Sequence, residues 1–215
     1  MNIQELKEIQ LKIAEKVDLR DRYRIDEIKH VIGVDQTFIE DKILSCAVKF
    51  NFPELKEIGR NFSLDEVKFP YIPGYLMFRE GDPAVNAVKE LISENTIIIV
   101  DGSGIAHPRK CGLATYIAVK TETPAVGITK KRLFGEIEGN GDVRAIKDAH
   151  RVIGYAIKGC KNCKEIYISP GSFISPETAL EIVKICMKGK LPLPIKIAHE
   201  FGQELKRAMF FATKR

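Results

Sequence analysis

Three acidic residues, Asp35, Glu80 and Asp101, each stand at the edge of an apolar stretch of the sequence. An aspartate in or at the end of a β-branched strand is costly unless a partner compensates its charge. Carboxylate oxygens are the ligands that Mg²⁺ and Mn²⁺ prefer, and such clusters hold one or two ions on a phosphate during phosphodiester hydrolysis. A metal cluster is therefore one interpretation of these residues, and capped or salt-bridged strand ends are the other.

Phosphate contacts are predicted in "DGSGIAHPRKCG", residues 101–112. Gly102 and Gly104 allow a backbone to approach a ligand closely, while His107, Arg109 and Lys110 carry groups that can bind phosphate. The alternative is that the histidine-proline pair forms a structural turn, in which case these side chains serve the fold.

A second basic group, Lys130, Lys131 and Arg132, follows the apolar run "AVGIT" directly. A cation at the end of a buried strand can reach a phosphate in an active site. A charge run that is merely solvated is the alternative interpretation.

Tyr71 lies in "FPYIPG", between Pro70 and Pro73, and Gly74 comes next. Proline fixes φ and restricts the residue before it, so this segment is predicted to be a rigid extended turn. A tyrosine held in this way either packs into the core or projects from the surface, and the segment alone does not decide between the two.

The composition is typical of a globular protein with a mild excess of positive charge. The 215 residues are 45% hydrophobic and 29% charged, which predicts one domain with a substantial core. Lysine and arginine number 34 against 29 acidic residues, and the net charge of +5 fits a polyanionic partner without establishing one.

The five cysteines are predicted to be free thiols that are half-buried or near the solvent. The pair in "CKNC", residues 160–163, lacks the second pair or flanking histidine that would complete a zinc site. Because the cysteine number is odd and no signal peptide is recognisable, we expect a cytoplasmic protein.

The first residues, "MNIQELKEIQLKIAEKV", predict an amphipathic helix that packs on the protein. Leu6, Ile9, Ile13 and Val17 share one face, and glutamates interrupt the apolar pattern. The stretch is therefore neither a targeting segment nor a membrane span, and no membrane partner is expected.

The apolar patterns along the chain predict strands first and then alternating helices and strands. Two strands are predicted in "HVIGVDQTFIEDKILSCAVKFNF", with a tight turn near Glu40-Asp41, and a third in "ELKEIGRNFSL", where Leu55 and Ile58 are the apolar markers. Further strands are predicted in "TIIIVDG", "PAVGITK", "VIGYAIK" and "EIYISPG".

Four more helices are predicted in "DPAVNAVKELISEN", "CGLATYIAVKT", "SPETALEIVKICMKG" and "PIKIAHEFGQELKRAMFFATKR", the last with a basic end. The first of these should begin at Asp82-Pro83, since aspartate caps a helix and proline suits its first turn. This order of elements predicts a mixed sheet flanked by helices in a single α/β domain spanning residues 1–215.

Six motifs, from about Val31 to Glu200, resemble those of one family in order and spacing. They are "GVDQTF", "PYIPGYLMFREG", "DGSGIAHPRKCGLATYIAV", "GITKKRL", "SPGSFIS" and "IKIAHEF". The family is endonuclease V, the deoxyinosine 3′-endonucleases. The resemblance implies a ribonuclease H-like fold and Mg²⁺-dependent hydrolysis of the second phosphodiester bond 3′ to hypoxanthine, leaving a 3′-hydroxyl and a 5′-phosphate. Mn²⁺ is the expected substitute.

The same resemblance implies roles for individual residues. Asp35, Glu80 and Asp101 match the family's metal ligands. Lys130 matches a lysine near the nucleophilic water, and His199 matches a histidine that approaches the catalytic centre.

The resemblance also implies how a damaged base is reached. Pro70, Tyr71, Ile72 and Pro73 match a wedge that inserts beside the lesion, where the tyrosine stacks into the gap left by an extruded base. The base would lie against the backbone at Gly74, Gly102 and Gly104. His107, Arg109 and Lys131 complete the set of residues expected to contact DNA.

Four positions depart from the residues that are usual in the family. Thr37 replaces a serine, Ser103 and Ser172 each replace a histidine, and Lys196 replaces an arginine. The acidic residues are retained, so these departures bear on the substrate more than on the reaction.

The expected partner is double- or single-stranded DNA that contains deoxyinosine, bound by a monomer. Two alternatives stay open. A nuclease of the same fold could act on inosine in RNA, and a related protein could bind nucleic acid without cleaving it. The three retained carboxylates argue against the second alternative.

Overall fold

The computed structural model of this chain describes residues 2–212, which contain five α-helices and nine β-strands. The helices are α1 Ile3–Ala14, α2 Leu76–Val88, α3 Leu113–Thr121, α4 Pro176–Cys186 and α5 Leu193–Ala212. The strands are β1 His30–Ile39, β2 Lys42–Asn51, β3 Glu57–Glu66, β4 Thr96–Asp101, β5 Ala125–Thr129, β6 Glu136–Glu138, β7 Val143–Asp148, β8 Arg151–Lys158 and β9 Glu165–Ser172.

All nine described strands belong to one sheet, in the order β3-β2-β1-β4-β5-β9-β8-β7-β6. Strand β1 pairs in parallel with β4, and β4 pairs in parallel with β5. Strand β2 runs antiparallel to both of its neighbours, and β9 runs antiparallel to β5. The mixed sheet flanked by helices that the sequence predicted is confirmed.

Helices cover both faces of the sheet, and the side chains of β4 pack into the apolar core on each face. Ile97 and Ile99 belong to the apolar cluster that α4 and α5 cover. Ile98 and Val100 belong to the cluster that α2 and α3 cover. Because side chains alternate along a strand, an unbroken β-branched run is what a strand buried on both faces requires.

Helix α1 packs against α2 and α3, as its amphipathic pattern predicted. Asn2 caps its first turn in a reciprocal pair with Glu5. Leu6 is buried, and Ile9 and Ile13 pack against a cluster that includes Met77 and Tyr116. Within residues 2–212, no helix combines the length and the apolar character that crossing a membrane requires.

The predicted start of α2 at Asp82-Pro83 is wrong. The helix begins at Leu76 and carries Pro83 inside it. An interior proline lacks the N–H that would bond one turn back, which disfavours a helix by about 3 kcal/mol. Burial of Met77, Ala84, Ala87 and Val88 offsets that cost, and a local pattern does not reveal such burial.

Strands β6 and β7 were not predicted, because β6 spans only three residues and β7 lacks the regular apolar alternation that marks a half-buried strand. In β7 only Ile146 is fully buried. The third strand also begins later than its apolar markers suggested. Leu55 is buried in the preceding turn with a φ of 58°, and Ile58 is exposed.

The expectation that all five cysteines are free and partly accessible is wrong. Cys160 and Cys163 form a disulfide, because the turn between β8 and β9 brings their Cα atoms to 5.1 Å. Cys46, Cys111 and Cys186 are free but buried. The basic end predicted for the last helix includes residues 213–215, which lie outside the described residues.

Candidate active site

Two of the three predicted carboxylates, Asp35 and Asp101, project from neighbouring parallel strands. The register pairs Val34 of β1 with Val100 of β4, so the aspartates occupy the next position on each strand. Asp35 is 8% exposed. Burial raises its pKa, and the charge of Asp101 raises it further. Sheet pairing thus places two acidic groups side by side in a poorly solvated position.

The third carboxylate, Glu80, comes from α2 and is 7% exposed. Burial raises its pKa to about 7, and the charges of Asp35 and Asp101 add to the shift while Arg79 opposes it. Among residues 2–212, no group donates a hydrogen bond to this carboxylate. The charges of Asp35 and Asp101 therefore act on Glu80. We call Asp35, Glu80 and Asp101 the catalytic edge, after the role that we propose for them below.

The donors of the catalytic edge suit a hard cation, because all of them are oxygens. In the described part of the chain, however, no three His, Cys, Asp or Glu side chains are close enough together to hold one ion. Two of the carboxylates are instead paired with basic side chains. The carboxylates are therefore neighbours without forming a closed ligand set.

His199 is paired with Asp35 across the interface between α5 and β1. Its Nδ1 lies 2.7 Å from the Asp35 Oδ2. The approach depends on Gly33, where an added Cβ would lie 2.1 Å from the carbonyl oxygen of Pro194 in α5. Close packing at the start of α5 brings its second turn over the aspartate. The His199 side chain is 57% exposed, so it faces the solvent as well as Asp35.

Lys130 follows β5 and pairs with the other aspartate. Its Nζ lies 2.9 Å from the Asp101 Oδ2. Burial alone would lower the pKa of Lys130, but the charge of Asp101 and the hydrogen bond to it outweigh that effect and raise the pKa. The lysine is 60% exposed and can exchange this carboxylate for a phosphate.

A cleft of about 380 Å³ adjoins these residues, and the "PYIPG" segment forms one of its walls. Asp101, Gly102 and Lys130 line the cleft, and so does Lys131, whose side chain is exposed. We call residues 69–74 the wedge segment, after the role that we propose for it below. The Tyr71 ring is 67% exposed, which agrees with a projecting tyrosine and excludes the core alternative.

Both ends of the wedge segment are hydrogen-bonded to the body of the protein. Arg79 Nη1 donates to the carbonyl of Phe69, at 3.0 Å. The carbonyl of Gly74 accepts from Gln10, His107 and Arg109. The prolines lie between these fixed ends, so Tyr71 projects from a segment with little freedom.

His107 is buried and Arg109 is half-buried, and both side chains are bonded within the protein, whereas the sequence analysis predicted phosphate contacts for them. His107 is 2% exposed, and both of its ring nitrogens have intramolecular partners. Arg109 bonds to Gln10 and Gly74, and its guanidinium stacks 4.4 Å from the centre of the Tyr75 ring. Their position gives both residues a role in holding the wedge segment.

Gly104 does not line the cleft. An added Cβ there would lie 2.1 Å from the carbonyl of Pro170, so this glycine serves packing against β9. The two serines at positions where the family usually has histidine are also buried. Ser103 Oγ donates to the carbonyl of Ala106, at 2.8 Å, and Ser172 Oγ accepts from the N–H of Asp18, at 2.9 Å.

Gln10 is the residue near the site that the sequence analysis missed. It is completely buried in α1 and bonds to both Gly74 and Arg109. One feature of the sequence could have indicated it: Gln10 lies four residues after Leu6, so a polar side chain interrupts the apolar face of the helix.

Comparison with known proteins identifies the relatives of this chain. The family model of endonuclease V matches residues 11–200. The endonuclease V of Archaeoglobus fulgidus is 54% identical over 216 residues, which cover 100% of this chain and 98% of that protein. The endonuclease V of Dictyoglomus thermophilum is 33% identical over 219 residues, covering 100% and 94%.

A solved structure with bound nucleic acid is similar as well. Endonuclease V of Ciona intestinalis superimposes with a TM-score of 0.85 and 26% sequence identity, covering 96% of this chain and 98% of that one. That protein was crystallised with a 24mer DNA containing an inosine followed by a ribo-adenosine.

Proposed function

This chain belongs to the endonuclease V family, and we propose that it is a DNA repair enzyme that hydrolyses the second phosphodiester bond 3′ to deoxyinosine, leaving a 3′-hydroxyl and a 5′-phosphate. The observation that carries the proposal is the catalytic edge, of which Asp101 lines a cleft that the exposed Tyr71 lines as well. The bound Ciona relative supports an inosine-containing substrate.

Mg²⁺ is the proposed cofactor, with Mn²⁺ as its substitute. Asp35, Glu80 and Asp101 are the residues that would hold it, since they offer only oxygen donors and Glu80 accepts no hydrogen bond within the described residues, and their side chains would have to move closer together to do so. When bound, the ion would neutralise charge on the phosphoryl oxygens and lower the pKa of the attacking water.

The basic residues at the catalytic edge orient the scissile phosphate. Lys130 is already beside Asp101 and exposed, so its Nζ can contact a phosphoryl oxygen. His199 uses Nδ1 toward Asp35, which leaves Nε2 for a phosphate oxygen or for the water. Asp35 therefore orients the imidazole in addition to its place in the metal site.

The wedge segment separates the strands at the lesion. Extruding a base costs a few kcal/mol, and the cost is least where pairing is already faulty. Stacking of the Tyr71 ring on an exposed base contributes roughly 1–3 kcal/mol to binding, which offsets part of this cost. The cleft of about 380 Å³ lies beside this ring and falls within the range of small-molecule sites, so an extruded purine can be accommodated there.

Inosine in RNA is the second candidate substrate. The DNA bound by the Ciona relative carries a ribonucleotide directly after the inosine, so that relative accepts a ribose at this position. A contact to the 2′-hydroxyl is what would let this protein prefer RNA.

A nicking assay on four labelled substrates tests the proposal. They are inosine-containing DNA, the same DNA with one ribonucleotide 3′ to the inosine, inosine-containing RNA, and a plain duplex, each with Mg²⁺, Mn²⁺ or EDTA. We expect Mg²⁺-dependent cleavage of the first substrate at the second bond. Faster cleavage of the RNA would favour the second candidate, and equal cleavage of the plain duplex would refute lesion recognition.

We further propose that the protein acts as a cytoplasmic monomer. Sedimentation with and without an inosine duplex tests its oligomeric state, and a protein that sediments as a dimer would contradict the proposal.

A further inference from the structure

The carbonyl oxygen of Gly74 accepts three hydrogen bonds from side chains that are distant in sequence. Gln10 Nε2 donates at 3.0 Å, His107 Nε2 at 3.0 Å, and Arg109 Nη2 at 2.7 Å. A carbonyl oxygen has two lone pairs, so three donors fix its position more firmly than ordinary pairing does. We call Gln10, His107 and Arg109, together with this carbonyl, the Gly74 anchor.

Gln10 joins the parts of the anchor to one another. Its amide nitrogen donates to the carbonyls of Gly74 and Cys111, the latter at 3.1 Å. Its amide oxygen accepts from Nε of Arg109. The side chain is completely buried, and each of these bonds joins α1 to a residue outside this helix. Helix α1 is therefore connected directly to the wedge segment.

The tautomer of His107 follows from its two partners. Nδ1 accepts from the backbone N–H of Arg109, at 3.1 Å, so the proton is on Nε2 and is donated to Gly74. Gly74 itself has a φ of 79°, and an added Cβ would lie 3.2 Å from Arg109 Nη2. The anchor thus needs a neutral histidine and a glycine at these positions.

We propose that Gln10 is a positioning residue that, through the Gly74 anchor, holds Tyr71 in place and thereby sets the selectivity for damaged DNA. Tyr71 makes no hydrogen bond or ring contact within residues 2–212, so its direction depends on the two ends of its segment. Arg79 holds one end, and the Gly74 anchor holds the other. The consequence for selectivity rests on the proposed function, whereas the consequence for mobility does not.

Fluorescence tests the mobility directly, because the chain contains no tryptophan. Tyr71→Trp introduces a single reporter at the tip of the wedge segment. Adding Gln10→Leu removes every polar contact of the anchor's central side chain, and we expect the anisotropy of the tryptophan to fall and its segmental motion to increase. Gln4→Leu is the matched control on the same helix, since Gln4 is exposed and, among residues 2–212, its side chain bonds only to Glu8.

Two further variants keep the test decisive if Gln10→Leu does not fold. Gln10→Glu retains the length and the acceptor for Arg109 but loses the N–H donors to Gly74 and Cys111. Arg109→Lys leaves α1 untouched and removes the fork that joins Gln10 to Gly74. Each should increase the motion of the reporter, and unchanged anisotropy in these variants would overturn the proposal.

Selectivity is measured in chains that retain Tyr71. The ratio of affinities for inosine-containing and plain duplexes should fall about tenfold in Gln10→Leu, the size expected when the stacking of one base is lost. Gln4→Leu should keep the ratio. A Gln10→Leu protein that melts earlier, yet retains both anisotropy and selectivity at temperatures where it is folded, would show a merely structural role and refute the inference.

The two proposals fail in different ways. If the wild-type protein does not cut inosine-containing DNA, the proposed function is wrong, and the anisotropy still decides whether Gln10 positions the wedge segment. If cutting is normal and the anisotropy of the variants does not change, only the role of Gln10 is wrong.

Discussion

The catalytic edge and the Gly74 anchor are both buried polar clusters, but their charges and hydrogen bonds are balanced differently. At the catalytic edge, burial raises the pKa of Asp35 and of Glu80, the charge of Asp101 raises both further, and Glu80 accepts no hydrogen bond from a described residue. At the anchor, the buried side chains of Gln10 and His107 find partners for their polar groups.

The difference indicates what each cluster is for. An unpaired buried charge costs several kcal/mol, so a fold keeps one only where something else will compensate it. A satisfied buried hydrogen bond contributes about 1 kcal/mol and requires nothing from outside. The catalytic edge is therefore suited to bind a cation, and the anchor is suited to hold a segment still. Five predictions test this contrast.

The largest effect is expected from Asp101→Asn at the catalytic edge. Losing a ligand removes the charge stabilisation that a metal supplies, so nicking should fall at least a hundredfold, or about 2.7 kcal/mol. Duplex binding should persist, because phosphate contacts remain. Single-turnover nicking measures the effect, and Asp142→Asn, at an exposed loop position, is the control. A rate above a tenth of wild type would contradict the metal assignment.

Glu80→Gln should stabilise the metal-free protein, by about 2 kcal/mol, because it removes a buried charge that repels its neighbours. Urea unfolding in EDTA at pH 8 measures this change. Mg²⁺ at ten times its Kd should add about 1.4 kcal/mol to the free energy of unfolding of the wild type and little to that of the variant. Glu181→Gln, at an exposed position of α4, is the control. A variant less stable than wild type would mean that Glu80 has a structural partner.

Acid should weaken the anchor through His107, because burial lowers the pKa of this histidine to about 4. Between about pH 6.5 and 4 the unfolded chain binds a proton that the folded chain does not, so stability falls as the pH falls through this window. The loss is roughly 2 kcal/mol by pH 5. Unfolding of wild type and His107→Gln from pH 7 to pH 5 measures it, and equal slopes for the two proteins would contradict the prediction.

Tyr71→Ala should reduce selectivity while leaving stability nearly unchanged. Loss of one aromatic stack should weaken binding to inosine duplexes about tenfold, whereas plain duplexes should bind almost as before. Competitive binding and thermal melting on the same variant give both numbers. A core tyrosine would instead cost about 3 kcal/mol or more in stability and leave lesion preference intact.

The smallest effect is expected at Lys131, which lines the cleft between the two regions. Lys131→Ala should reduce the slope of log affinity against log salt by about 1 and weaken all duplexes alike. Lys184→Ala on α4 should leave the slope unchanged. If both variants behave alike, Lys131 is only a solvated surface charge.

The sequence alone determined most of the elements and the identity of the acidic residues. The unbroken apolar run in "TIIIVD" predicts a strand that is buried on both faces. Asp101 is charged and lies at the end of that strand. Two prolines beside Tyr71 required a stiff segment, because proline restricts its own φ and the residue before it. These are local constraints, so a local pattern is enough to predict them.

Only the tertiary structure decided which of these residues meet. Asp35 and Asp101 are neighbours because β1 and β4 pair in parallel, and Glu80 joins them because α2 begins six residues earlier than its proline suggested. His107 and Arg109 have the residue types of phosphate ligands, yet they point inward to a carbonyl. A sequence pattern gives the chemistry of a side chain, whereas long-range pairing and packing decide whether its partner is solvent, substrate or the protein's own backbone.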